Sequence, residues 1–176
     1  MQKIKFGMIN KVSKLIFSKL RVPLNLLGKM TNWLSEKTGL RGNASINTPA
    51  DFADTIRYFI EGKKVCDIGS HLGHFMEDMA KYASKVIGVE FVRSRYEFCR
   101  KKGLEVYFLD ATKDEMPEAD VYFLCIGKAE KPLILENLRR CGKQGKLLIV
   151  RVDETEGWNM AFCWRGRKNY LKIITI

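Results

Sequence analysis

The sequence predicts an α/β fold: a doubly wound, mostly parallel sheet that ends in an antiparallel hairpin and is preceded by N-terminal amphipathic helices. Three observations predict it. From residue 43 onward, short apolar runs rich in β-branched and aromatic residues alternate with helical stretches of about ten residues, the pattern of a parallel sheet covered on both faces. The last two apolar runs flank Gly166-Arg167-Lys168 with no helix between them, as a hairpin does. In residues 1–42, apolar residues recur at helical steps among lysines.

Taken in order, the first helix is expected over the stretch carrying Ile4, Met8, Ile9, Val12, Leu15, Ile16 and Leu20. Pro23 interrupts it, because proline cannot continue the hydrogen-bonded ladder. A second helix, Leu24 to Lys37, carries Leu27, Met30, Trp33 and Leu34, and Gly39, Gly42 and Asn43 mark a hinge. Thr48-Pro49-Ala50-Asp51 opens the next helix: Thr48 caps, Pro49 takes the first helical position and Asp51 closes a capping box. Phe52, Ile56, Phe59 and Ile60 are its buried face. Then come a strand at 63–68, a helix at 73–83, a strand at 85–90 and a helix at 93–102. Strands at 104–109 and 119–125, a helix at 130–140 and a strand at 145–152 follow. The hairpin strands are expected at 158–165 and 169–176.

With 46% hydrophobic and 29% charged residues over 176 positions, the chain has an ordinary globular balance and the length for one domain with a small appendage. No apolar run approaches the roughly 18 residues of a membrane span. Five scattered cysteines without a C-x-x-C pair argue against a disulfide framework or a structural zinc site, and for a reducing compartment. His71 and His74 stand three apart, but no third ligand accompanies them, so no metal is expected.

The net charge of +11 is unevenly placed. Residues 1–42 hold nine bases against Glu36 alone, while the remaining 134 residues carry 22 bases and 19 acids. A basic amphipathic helix of this kind lies in an anionic lipid interface, its apolar face in the acyl boundary and its lysines among the head groups. The alternatives are packing on the body or another subunit, and an organelle-targeting presequence. A cytoplasmic, peripheral membrane location is expected. The near-balanced body weighs against nucleic acid, whose phosphates reward a basic cleft.

In an open parallel sheet ligands bind beyond the carboxyl ends of the strands. Those ends read Asp67-Ile68-Gly69-Ser70-His71-Leu72-Gly73, then Gly88-Val89-Glu90-Phe91, then Leu109-Asp110-Ala111. Three acids thus stand at three strand ends behind a glycine turn. Gly69 permits the tight turn, and Gly73 lets a helix start against the sheet. Glu90, 21 residues beyond Gly69, has the usual spacing of a carboxylate for ribose hydroxyls. The acids favour a cationic ligand over a pyrophosphate.

Residues 63–152 resemble the class I S-adenosylmethionine-dependent methyltransferases, whose sheet is Rossmann-like. Asp67 through Gly73 falls on that family's first motif, D/E-x-G-x-G-x-G, with His71 in place of the middle glycine. The resemblance implies a methyltransferase that binds S-adenosylmethionine, with Asp67 and Gly69 at the methionine end, Glu90 at the ribose, and Ser70, His71, Gly73 and Phe91 also among the cofactor-binding residues. Asp110 and Ala111 would meet the adenine, and Cys125-Ile126-Gly127 would lie beside the methyl group. In-line displacement needs positioning more than acid–base help, so no catalytic residue is assigned. Leu124-Cys125-Ile126-Gly127 replaces the Asn/Asp-Pro-Pro-Tyr/Phe stretch of amide and base-amine methylators.

The outline resembles two subgroups, compact protein-lysine methyltransferases and phospholipid N-methyltransferases with an amphipathic helix. An amine-type acceptor on protein or lipid, at or near a membrane surface, is the resulting expectation. The alternatives are a non-catalytic membrane-associated interaction protein, which His71 would favour, and a nucleic-acid methyltransferase.

Overall fold

The computed structural model describes residues 52–152, 154–158, 160–164 and 167–176. The helices expected before Lys37, the hinge near residue 43 and the capping box at 48–51 lie outside the described residues.

Among the described residues seven strands, numbered in chain order, form one sheet in the order β3-β2-β1-β4-β5-β7-β6. The chain enters through helix α1 (Phe52–Ile60), whose Phe52, Ala53, Ile56 and Ile60 are buried at helical spacing. Its outer face carries the Arg57–Glu61 ion pair at 2.6 Å. Strand β1 (Lys64–Ile68) runs into the centre of the sheet and is almost wholly buried. Helix α2 (His74–Met79) leads to β2 (Lys85–Glu90), and α3 (Arg93–Lys101) leads to β3 (Val106–Phe108). Strand β4 (Val121–Leu124), helix α4 (Lys131–Arg140) and β5 (Leu147–Val152) continue the parallel winding. After a 3-10 turn at Glu154–Glu156, β6 (Met160–Trp164) and β7 (Arg167–Thr175) close the sheet in antiparallel sense.

Alternation along the strands builds two cores, because successive side chains point to opposite faces. Cys66, Ile68, Tyr122, Leu124 and Leu148 meet Ile134 and Leu138 of α4 on one face. Val65, Val121, Phe123 and Ile149 meet Phe52, Ile56 and Ile60 of α1 on the other. Strands β1 and β4 are neighbours although β2 and β3 lie between them in sequence, so the winding reverses between β1 and β4. Ligand crevices open at such a reversal, beyond the carboxyl ends of the strands.

Every expected element from residue 52 onward is present, and the differences lie at the ends. Helix α2 stops at Met79, short of the expected Ala83. There Ser84 N–H already bonds to Lys63 O, and Tyr82 O accepts from Gly62 N–H, so the chain is turning into β2. Strand β3 has three residues instead of six, because it pairs with β2 only over Gly88–Glu90. The hairpin is tighter than expected: Trp164 pairs with Arg167, which places Arg167 and Lys168 in β7 and not in the turn. Strand β7 also inserts between β5 and β6, so the chain runs to the edge of the sheet first and returns inside it. Cys66, Cys99, Cys125 and Cys141 are free thiols. Among the described residues no helix is long and apolar enough to cross a membrane.

Candidate functional site

The glycine turn after β1 is built by backbone bonds to β2. Gly69 and Ser70 N–H both donate to Val89 O, at 2.9 and 3.1 Å, and Gly73 N–H donates to Ser70 O at 2.8 Å. Gly69 has φ +76°, and a Cβ there would stand 2.7 Å from Ile126 Cγ2, so this position requires glycine twice over. Gly73 has φ +77°, with the same Cβ test placing it 2.1 Å from Leu104 Cδ1.

His71, where the motif has its middle glycine, adopts φ +52°. The backbone therefore keeps the left-handed turn of a glycine while carrying a side chain, at a cost of roughly 1–2 kcal/mol. Its N–H donates to Glu90 Oε2 at 2.9 Å, and its carbonyl accepts from Cys99 Sγ at 3.2 Å. Glu90 Oε1 accepts from Val92 N–H at 2.8 Å. Glu90 thus clamps the turn after β1 to the turn after β2 from a buried position, 3% exposed.

Asp67 is deeper still, at 1% exposure. Among the described residues its Oδ2 is buried without a hydrogen-bond partner, as is Ser70 Oγ. Burial, with the negative charge of Glu90 second, pushes its carboxyl up to about 8. Two acids therefore share this end of the sheet, and among the described residues neither forms an ion pair.

Asp110 ends β3 differently. Its Oδ1 accepts from Thr112 N–H at 3.0 Å and from Thr112 Oγ1 at 2.7 Å, and its Oδ2 lies 3.2 Å from Lys113 Nζ. These hydrogen bonds hold the carboxyl below the usual carboxylate range. The turn is fastened from α4: buried Asn137 donates through Nδ2 to Ala111 O at 2.9 Å and to Asp114 O at 2.8 Å. Arg140 adds a bond to Lys113 O.

A cleft of about 340 Å3 opens over these strand ends. Of the expected residues, Gly69, Phe91, Asp110 and Ala111 line it. Phe91 is 66% exposed, an aromatic face presented at the turn after β2. Asp67, Ser70, His71, Gly73 and Glu90 form the framework of the glycine turn and do not line the cleft. Cys125 is placed apart: it packs with the Phe52–Phe123 core on the α1 face, 3.8 Å from Arg151 Nη1, while Ile126 turns to the cleft. Burial raises its thiol, which suits packing and not nucleophilic work.

Sequence reading placed Ile126 and Gly127 at the site, and they line the cleft; it missed Thr112, Glu130 and Ile134 in the lining, and Asn137 behind it. Asn137 had a signal, since it sits between Ile134 and Leu138 on a buried helical stripe where a polar residue needs a partner. Among the described residues no group of three or more His, Cys, Asp or Glu could hold a metal ion.

No protein-family model and no curated protein sequence matches the chain. Solved structures do. A dimethyladenosine transferase from Plasmodium falciparum is 22% identical with a TM-score of 0.51, over 61% of this chain and 42% of that one. The fold is that of the class I methyltransferases. A SAM-dependent methyltransferase from Archaeoglobus fulgidus is 18% identical at a TM-score of 0.48, over 72% of this chain and 59% of that one. A SAM-bound amino pentose methyltransferase from Micromonospora echinaspora is 20% identical at 0.47, over 57% and 48%. The chain thus spans about half the length of these class I structures.

Proposed function

We propose that this protein is an S-adenosylmethionine-dependent methyltransferase. The observation that carries the reading is the pair of buried acids, Asp67 and Glu90, without a cationic partner among the described residues, beside a glycine turn and a cleft of about 340 Å3. A cleft of that size takes a small molecule, and unpaired buried acids select one with positive charge. The cofactor carries an ammonium and a sulfonium, and it fits this donor set. Asp67 and Ser70 flank Ile68 and Gly69 of the cleft lining in the chain, and their Oδ2 and Oγ, buried and without a partner among the described residues, are the groups we assign to its amino-acid end. Glu90 keeps unused lone pairs for ribose hydroxyls, Phe91 offers a face for the adenine, and Asp110 with Ala111 edges the same space.

When bound, S-adenosylmethionine supplies a sulfonium methyl group for in-line displacement. The chain's part is positional. Glu90 fixes the separation of the turns after β1 and β2, and Asn137 fixes the turn after β3, so the ligand meets a rigid frame. Holding donor and acceptor in line supplies several kcal/mol without a dedicated base. The test is titration of the purified protein with S-adenosylmethionine and S-adenosylhomocysteine. Binding is expected for both, and Glu90→Ala should weaken it ten- to hundred-fold, the scale of a charge-assisted hydrogen bond. A folded protein that binds neither overturns the reading.

The acceptor we propose is an amine on a protein or lipid at an anionic membrane surface, with the enzyme cytoplasmic and peripheral. What supports this is sequence: residues 1–42 hold nine bases against one acid, with apolar residues at helical steps from Ile4 to Leu20. Each base near such a surface contributes about 1 kcal/mol, weakened by salt. The full chain should co-sediment with anionic vesicles and not with neutral ones. A variant with Lys11, Lys14 and Lys19 changed to Glu should lose that binding while its cofactor affinity persists. Unchanged vesicle binding by this variant would remove the membrane reading.

A further inference from the structure

Asp67 lies in the middle of the sheet, and among the described residues its Oδ2 has no hydrogen-bond partner. Its cross-strand partners are Gly88 on β2, which has no side chain, and Phe123 on β4, which offers no donor. Among the described residues, the groups around it do not supply a positive charge. Glu90 from β2 is acidic, and Cys66 on β1, Cys99 on α3 and Cys125 after β4 are thiols that its charge raises. On α2, His74 faces Glu77 at 3.6 Å. Arg151 of β5 and Lys131 of α4 act on Cys125, and Lys131 is committed to Glu156 at 2.9 Å. Lys64, at the far end of β1, acts on Cys66. A buried carboxylate facing a second carboxylate, with no donor to its Oδ2, is far costlier than the neutral acid.

We propose, resting on the reading of the site given above, that Asp67 is protonated in the free protein and loses that proton when the ammonium group at the amino-acid end of S-adenosylmethionine enters. The carboxyl O–H bond breaks, the proton passes to solvent, and the carboxylate left behind pairs with the arriving cation. Ligand binding is then proton-linked. The upward displacement of the Asp67 carboxyl to about 8 agrees with this order of events. The device also sets specificity: a neutral nucleoside of the same shape cannot displace the proton and gains nothing from the acid.

The experiment is isothermal titration of the full chain with S-adenosylhomocysteine at pH 7.0, in two buffers of different ionisation enthalpy. The ligand's own amine, titrating near 8, stays mostly protonated there. Close to one proton should be released per molecule bound, and almost none in Asp67→Asn. In the wild type Kd should fall close to tenfold between pH 6 and pH 7, a measurement that stands even where the variant fails to fold. Adenosine should bind without proton release. Binding of S-adenosylhomocysteine with no proton exchange and a pH-independent Kd overturns this inference and leaves the methyltransferase reading intact. Absence of binding at every pH overturns both.

Discussion

His71 carries its strain for a reason visible in its bonds. The left-handed turn aims its N–H at Glu90 Oε2, so the residue stays in place because the clamp between β1 and β2 needs that amide. Glycine would reach the same geometry without the Cβ clash, but it gains chain entropy when unfolded, worth about 0.5–1 kcal/mol. The two effects nearly cancel, and His71→Gly should change stability by no more than about 1 kcal/mol while retaining ligand binding. A β-branched side chain tolerates the conformation least, so His71→Val should destabilise by about 1–2 kcal/mol and weaken binding. Urea unfolding of both variants checks the pair. Equal losses would show that the side chain of His71, and not its backbone, holds the turn.

At the scale of elements, the turn after β3 depends on a helix that is remote in sequence. Asn137 of α4 satisfies Ala111 O and Asp114 O together, and its Oδ1 accepts from Arg140. Asn137→Leu keeps the size but leaves both carbonyls without that donor. A loss of about 2–4 kcal/mol is expected, with several-fold weaker ligand binding because Asp110, Ala111 and Thr112 form one wall of the cleft. A Leu variant as stable as wild type would show that solvent replaces the bonds. This dependence also explains what the sequence could disclose. Period-two and helical patterns located each element from α1 onward, since burial on two faces leaves that imprint. The acids at 67, 90 and 110 were legible because strand ends are. The lining at Glu130 and Ile134 was not, because it depends on where α4 crosses the sheet. Cys125 was expected near the cleft from its neighbours in the chain. The alternation along β4 sends it to the opposite face.

Across the whole molecule the two ends of the sheet respond to pH in opposite directions. At the amino ends of β4 and β5, Glu118 accepts from Lys143 and Lys146, each at 2.9 Å, and these bonds hold its carboxyl down at about 2. A depressed acid contributes stability above its unfolded value, near 4.3, and loses that contribution as pH falls toward 2. Because Glu118 is 58% exposed, solvent screening keeps the contribution small. At the carboxyl ends Asp67 does the reverse. Its folded value of about 8 lies above the unfolded one, near 3.9, so between those limits the native state holds a proton that the unfolded chain does not. Stability from this group therefore falls as pH rises from about 4 to 8. The cleft end of the sheet is thus the end that destabilises the free protein at neutral pH, and on the proposal above a cationic ligand removes that penalty. Thermal unfolding of the free protein should show Tm declining between pH 5 and pH 8. The decline should flatten in Asp67→Asn, whose amide does not titrate, and also in wild type saturated with S-adenosylhomocysteine. A decline that persists unchanged in Asp67→Asn would place its origin in groups other than this carboxyl.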